Sequence, residues 1–258
     1  VKIVDELASD WNKSGISKGS IVLLHSNISN TLRRIKRSGA KPSVDIILDS
    51  FLKAVGSDGT LVLPLFNFEF TQGVAFDIQQ TPSQMGALTE LARHHPAAIR
   101  TGHPIYSFVA IGAQTSKFAG LKNFSGYGAD SPFGIIHQIN ATIAILDLPD
   151  QNSMTFYHYV EECCDVDYRY HKSFTAPYIN GDGSQKDETF GLFVRDVEAG
   201  VRTKVDPMGE LLWQAGHYLG NRPKVGTGLR TISAETVFEE TKSIIISGKA
   251  KGLLYDIE

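Results

Sequence analysis

The chain has 258 residues, 42% of them apolar and 21% charged, with a net charge of -3 at neutral pH. That length and balance give a soluble globular chain with a large core and exclude disorder as the ground state. A mildly acidic surface also argues against broad nucleic-acid binding, which needs basic side chains to displace counterions. The first residues carry no signal-peptide pattern, and no apolar run approaches a membrane span. The two cysteines, Cys163 and Cys164, are adjacent, where a disulfide forms only with strain. Together these features lead to an expectation of a cytoplasmic protein outside any membrane.

In chain order, residues 5–14 read as a short helix with Leu7 and Trp11 one turn apart. A continuous apolar strand follows at 20–24 and ends in the polar cluster His25-Ser26-Asn27-Ile28-Ser29, where open α/β sheets bind ligands. Residues 30–42, with the run Arg33-Arg34-Ile35-Lys36-Arg37, are expected to be a solvated loop; the alternative is a docking patch for the phosphates of a nucleotide or coenzyme. Ser43 caps a helix whose Val44, Ile47, Leu48, Phe51, Leu52 and Val55 share one face. A turn at 56–59 leads into a strand at 60–65. Helix, strand, helix and strand in succession indicate an α/β protein with a largely parallel sheet.

Residues 67–82 read as a long loop, in which Glu69 and Asp77 are candidate carboxylates for a cationic acceptor. A helix from Thr81-Pro82-Ser83 to Ala92 follows, then a loop and strand from Arg100 to Gly112. His94, His95 and His103 lack carboxylates or thiols at ligand spacing, so no metal is expected. Ser131-Pro132 starts a helix, and 142–146 is a strand. Asn152 or Ser153 then caps a helix on which Thr155, His158 and Glu161 recur every third residue. Hydroxyl, imidazole and carboxylate just beyond a buried strand suit proton transfer. Cys163 and Cys164 read either as nucleophiles or as small buried helix residues. Residues 167–174, including Tyr168, Arg169, Tyr170 and Lys172, are polar and aromatic, suited to lining a site. Strands at 189–194 and 224–229, a short helix at 206–217 and a final helix from Ser233 to Ile246 complete the chain, which reads as one domain over 1–258.

Four segments together resemble the aminoglycoside 3-N-acetyltransferase family of antibiotic acetyltransferases. They are Leu23-Leu24-His25-Ser26-Asn27-Ile28-Ser29, similar to the family's VHSSLS; Gly59-Thr60-Leu61-Val62-Leu63-Pro64 with Phe76-Asp77 and Thr81-Pro82-Ser83-Gln84-Met85-Gly86; Arg100-Thr101-Gly102-His103-Pro104-Ile105-Tyr106-Ser107-Phe108, similar to RSxHPxxSF; and the TxxHxxE helix. The resemblance implies a single-domain, three-layer αβα fold with a mostly parallel sheet, distinct from the GNAT enzymes. It implies acetyl transfer from acetyl-CoA to an amine, as in antibiotic resistance, without a metal. In that reading His158 is the general base, Glu161 orients it and favours its protonated form, and Ser26 or Thr155 supports the thioester oxygen. His25, Ser26, Asn27, Ser29, Arg100 and Ser107 are carried over as coenzyme or loop-positioning contacts, and Glu69, Asp77, Tyr168 and Arg169 as acceptor contacts. Asn27 departs from the family's second Ser. The basic, aromatic stretch after Glu161 favours an acceptor bearing phosphate, a nucleotide-linked amino sugar of surface-polysaccharide (O-antigen) synthesis, over a polycationic antibiotic. The alternatives are a Ser26–His158–Glu161 thioester or ester hydrolase and a silent CoA-binding protein. Expected partners are the amine acceptor and acetyl-CoA, with a homodimer left open.

Overall fold

The computed structural model describes residues 2–258. The chain runs α1 (Lys2–Lys13), β1 (Ile21–Ser26), α2 (Ser29–Arg37), α3 (Val44–Val55), β2 (Thr60–Pro64), β3 (Phe76–Asp77), α4 (Ala87–Arg93), β4 (Ile99–Arg100) and β5 (Phe108–Gly112). It continues through α5 (Pro132–Gln138), β6 (Thr142–Leu146), α6 (Phe156–Cys163), β7 (Arg169–Ile179), β8 (Gln185–Arg195), β9 (Val201–Thr203), α7 (Asp206–Gln214), β10 (Leu219–Gly220), β11 (Leu229–Ser233), α8 (Ala234–Ile246) and β12 (Tyr255–Ile257).

Seven strands form the central sheet in the order β10-β11-β6-β1-β2-β5-β4. The α/β architecture follows the sequence reading, but the sheet is mixed rather than mostly parallel. Parallel pairing is confined to its centre, β6-β1-β2, and the flanking pairs are antiparallel. The two cases look alike in sequence because β2 and β5 are covered on both faces, which removes the apolar–polar alternation that marks a half-solvated antiparallel strand. At the end of that pair Gly112 (φ +134°) faces Thr60, and a Cβ there would lie 2.2 Å from the Gly59 carbonyl oxygen.

Each face of the sheet carries its own apolar core. On one, Trp11 of α1 stacks on Phe51 of α3 with ring centroids 4.8 Å apart, beside Ile35 of α2 and Leu88 of α4. The other packs Phe133 and Ile136 of α5, Tyr157 and Val160 of α6, Leu212 of α7 and Val237 of α8, together with Tyr178 and Phe190 of the β7–β8 hairpin. Strand β1 alternates between them: Leu23 belongs to the α6 side, Val22 and Leu24 to the α3 side.

Several boundaries differ from the sequence reading. Residues 29–37 form helix α2 instead of a loop, because Thr31 and Ile35, four apart, bury one stripe and leave the basic side chains outside. Residues 169–195 form an eleven-pair hairpin, Arg169↔Arg195 through Ile179↔Gln185, where a polar loop and a short strand were expected. The polar, charged side chains of β7 hid it, since much of that strand is exposed. Helix α4 begins only at Ala87, and the last strand of the central sheet lies at 229–233 rather than 224–229. Among the described residues, no helix is long and apolar enough to cross a membrane.

Candidate active site

Helix α6 starts after Thr155, whose side chain makes no capping hydrogen bond; Asn152 and Ser153 lie in the preceding turn and its exit. One helical turn apart on α6, His158 and Glu161 meet at 2.7 Å, Nδ1 to Oε2. Glu161 is fully buried and is held from two further sides. Tyr168 donates its hydroxyl to Oε1 at 2.9 Å, and Arg169 Nε lies 2.8 Å from Oε2. Arg169 is itself fixed by donating Nη1 to the Phe193 carbonyl at 2.9 Å, across the hairpin.

Arg169 Nη2 also lies 2.8 Å from His158 Nδ1, and the two contacts of Nδ1 make opposite demands on its single proton. A bare Nδ1 lone pair facing a buried carboxylate would be repelled, so Nδ1–H donates to Glu161 and Nε2 carries the free lone pair. Burial lowers the His158 pKa, and the Arg169 charge lowers it further against the pull of Glu161. Burial alone would raise the Glu161 carboxyl, but Arg169, His158 and Tyr168 hold it below its ordinary value. The sequence reading made Glu161 favour imidazolium; burial, together with the guanidinium beside the ring, outweighs that pull. The result is a neutral imidazole, fixed in one tautomer, beside an ionised and compensated carboxylate.

Removing that guanidinium tests the balance. In Arg169→Gln the carboxylate acts on the ring unopposed, the His158 pKa rises, and the acid limb of kcat/KM moves to higher pH. An unmoved limb, read from pH profiles of wild type and variant, would contradict the assignment of the base.

His158 opens onto a cleft of about 530 Å³ whose walls include Tyr106, Tyr127, Arg169, Lys172 and Arg195. The Tyr127 ring meets the imidazole edge-on, with centroids 5.5 Å apart. Tyr127 and Arg195 were missed in the sequence. Arg195 was findable, because Asn180-Gly181-Asp182-Gly183-Ser184 is turn chemistry, and folding the chain there pairs Arg195 with Arg169.

The other predicted residues are dispersed. His25 follows Leu23 onto the α6 side of the sheet, buried, with its Nε2 unpartnered and its pKa pushed down to about 4 by desolvation. Ser26 falls on the opposite side and lines a separate cleft with Asn27, Ser29 and Met85. A Ser26–His158–Glu161 triad therefore does not assemble. Asn27 caps locally, its Oδ1 accepting from the Ser29 N–H at 3.1 Å.

Arg100 is a loop anchor. It donates to the carbonyls of Thr81 at 2.6 Å and Ile78 at 3.3 Å and to Ser107 Oγ at 3.1 Å, above the Phe76 ring. Asp77 closes a turn by accepting from the N–H groups of Gln79 and Gln80, while Glu69 stands exposed in another short turn. Neither lines the His158 cleft, and Tyr168 serves Glu161 rather than that cleft. Cys163 is exposed and Cys164 half-buried, contrary to the buried reading, and desolvation raises both thiols, which disfavours nucleophilic thiolate.

His103 is structural. Its Nδ1 accepts from the N–H groups of Ile105 and Tyr106 at 3.2 and 3.0 Å, so its proton sits on Nε2, facing the Gly191 carbonyl. Burial lowers its pKa to about 4 from 6.5. Unfolding frees it to bind a proton, so its stabilising share is present above pH 6.5 and falls away toward pH 4, by about 3 kcal/mol in all. Urea unfolding at pH 7.5 and 4.5 is expected to show at least this loss; equal stabilities would contradict a buried neutral His103.

Comparison with known proteins follows the same lines. Residues 23–244 match the sequence model of the aminoglycoside 3-N-acetyltransferase family. The aminoglycoside N(3')-acetyltransferase-like protein YokD, derived from the SPbeta prophage of Bacillus subtilis, is 28% identical over 60% of this chain and 63% of its own length. Aminoglycoside N(3)-acetyltransferase VIII of Streptomyces fradiae is 24% identical over 68% of this chain and 66% of its own. The chain thus aligns with slightly under two thirds of these relatives. In structure it is similar to AAC-IIIb in binary complex with CoASH, at TM-score 0.79 and 18% identity over 95% of this chain and 96% of that one. It is also similar to crystalline YokD, at TM-score 0.74 and 20% identity over 95% and 99%. With the family match spanning nearly the whole sheet and its helices, this chain belongs to the aminoglycoside 3-N-acetyltransferase family.

Proposed function

We propose that the protein transfers an acetyl group from acetyl-CoA to the primary amine of an amino sugar, with His158 as general base. The observation that carries this is the His158–Glu161 pair, held by Tyr168 and Arg169 in the wall of a cleft. At neutral pH an amine is mostly ammonium and must lose a proton before it can attack a thioester. His158 is neutral, and among the described residues its Nε2 makes no hydrogen bond, so it is free to take that proton. Glu161 then stabilises the imidazolium formed, as the new C–N bond replaces the C–S bond and CoA leaves.

Two features support acetyl-CoA as the donor. His25 Nε2 is buried without a partner on the His158 side of the sheet, a polar atom that a ligand would satisfy. Thr155 stands one turn before His158 with its hydroxyl free of capping duty, available to the thioester oxygen. Hydrolysis through Ser26 has no such support, because that side chain lies across the sheet.

The charge of the cleft bears on the acceptor. Lys172 and Arg195 line it against Glu198 alone, since Arg169 is compensated by Glu161. A polycationic aminoglycoside would be repelled there and an amine carrying phosphate attracted. The acceptor class we favour is accordingly a nucleotide-linked amino sugar. The relatives' names make aminoglycosides the competing class, so both belong in one assay of CoA release with a thiol reagent. Release that needs a nucleotide-linked amine, and weakens as Lys172→Glu/Arg195→Glu raises the acceptor KM about tenfold, is the expected result. Release with aminoglycosides only would overturn the acceptor class, and amine-independent release would overturn transfer itself.

A further inference from the structure

The His158 cleft has a wall that proton transfer does not use. Side chains at alternate positions of a strand share one face, so Tyr170, Lys172 and Phe174 of β7 project together. Their register partners Val194, Leu192 and Phe190 belong to the same face of β8. Toward the tip of the hairpin that face is core, with Ala176, Tyr178 and Phe190 buried. Toward Arg169 it leaves the core, and Tyr170, Lys172, Phe174, Leu192 and Val194 all line the cleft. An apolar face that runs on past the core into an open cleft marks a binding surface rather than packing.

The two rings on this wall are separated by a cation. Tyr170 is 46% exposed, and Phe174 rests half-buried against the core. Lys172 Nζ lies 5.6 Å from the centre of the Phe174 ring and, among the described residues, has no carboxylate within ion-pair reach. An ammonium held by a ring alone is poorly compensated, and a phosphate oxygen would draw it off that ring. The ring so uncovered offers a flat apolar surface on which a heterocycle can stack. Strand rise puts Lys172 about 10 Å and Phe174 about 16 Å along β7 from Arg169. Arg169 Nη2 in turn lies 2.8 Å from His158 Nδ1. Read outward from His158, the wall presents an imidazole, then a cation, then a ring. A nucleotide-linked amino sugar presents an amine, then phosphate, then a nucleobase.

We propose that this face of β7 is the nucleotide subsite of the acceptor, in which Phe174 stacks on the nucleobase and Lys172 holds the phosphate before it. The proposal rests on the acetyl-transfer reading and assigns its selectivity to residues outside the His158–Glu161 pair. A stacking ring reads no base edge, so the subsite selects for the presence of a nucleobase more than for its identity. A polycationic sugar gains nothing from this wall, which offers it rings and an uncompensated ammonium.

The test uses Phe174→Ala, Phe174→Trp and Lys172→Ala in the full chain. CoA release would be followed with a UDP-linked amino sugar and with the same amino sugar as its 1-phosphate, alongside calorimetric titration of UDP and of CoA. Phe174→Ala is expected to raise KM for the UDP-linked acceptor and Kd for UDP about tenfold, with KM for the sugar phosphate moved less than twofold. Phe174→Trp is expected to keep the wild-type values, and Lys172→Ala to raise KM for both acceptors. CoA affinity, expected to hold in every variant, shows that the fold is intact. Equal wild-type KM for the two acceptors, or a Phe174→Ala effect on CoA affinity in place of UDP affinity, overturns the proposal. Because the titrations need no turnover, the two readings fail separately. UDP binding that weakens in Phe174→Ala, without CoA release from any amine, would sink acetyl transfer and leave the subsite standing. Amine-dependent release without UDP binding would do the reverse.

Discussion

His158→Ala is expected to lower kcat for amine acetylation about a thousandfold while leaving CoA affinity within a few-fold of wild type. Among the described residues the side chain supplies the only free imidazole lone pair in the cleft, and its loss leaves an acceptor ammonium to find water as base. A thousandfold is about 4 kcal/mol of transition-state stabilisation. Single-turnover CoA release, with calorimetric CoA binding in parallel, separates the two quantities. Retention of more than a tenth of wild-type kcat would exclude His158 as base, whereas a parallel loss of CoA affinity would show a collapsed site. The acid side of the wild-type profile provides a second check. Burial and Arg169 depress the imidazole, so activity is expected to persist below pH 6.5 before protonation removes the base.

The largest effect on stability is expected at Asp150. This buried carboxylate accepts from Arg230 Nη2 at 2.7 Å and from the Tyr157 and Tyr218 hydroxyls, each at 2.8 Å. Arg230 is 1% exposed and also donates to the Leu148 carbonyl at 2.6 Å. Asp150→Ala removes the counter-charge that Arg230 has among the described residues and strands two phenols, at a cost of about 3–5 kcal/mol in urea unfolding. The double variant Asp150→Leu/Arg230→Met is expected to lose less than either single change, because it also removes the orphaned charge. Additive losses would contradict the coupling. Gly209 is tied to the same carboxylate: a Cβ there would lie 2.4 Å from Asp150 Cγ. Since Tyr157 neighbours His158 on α6, this network also fixes the helix that carries His158.

The sequence disclosed the His158–Glu161 contact because helical periodicity is local: a spacing of three places the two side chains together in any α-helix. It disclosed the interior strands and the α3 stripe for the same reason. What it concealed depends on contacts between distant segments. The sign of the His158 shift rests on burial and on Arg169, which reaches the ring from the first position of β7. Placing Ser26 needed the phase of β1, and a run buried on both faces does not betray which residue faces which helix layer. Helix α2 was masked by its own charges, since two buried positions in nine residues leave little apolar signal. Arg100 and Asp77 were legible as polar residues near motifs, but their work as anchors of the 76–82 segment appears only when that segment is folded over them.

The hairpin of residues 169–195 brings one terminal side chain, Arg169, to His158, while Lys172 and Arg195 line the same cleft from its two strands. Because Arg195 pairs with Arg169 and also bears on the imidazole, the two ends of the hairpin act on His158 together, whereas Lys172 stands apart on β7. Substitutions at exposed positions such as Lys172 change the charge of the cleft while the pairing of β7 with β8 persists, since the strands satisfy each other's backbone groups. Such an arrangement lets a lineage vary the charge of the cleft at the exposed positions of β7 and keep the His158–Glu161 pair.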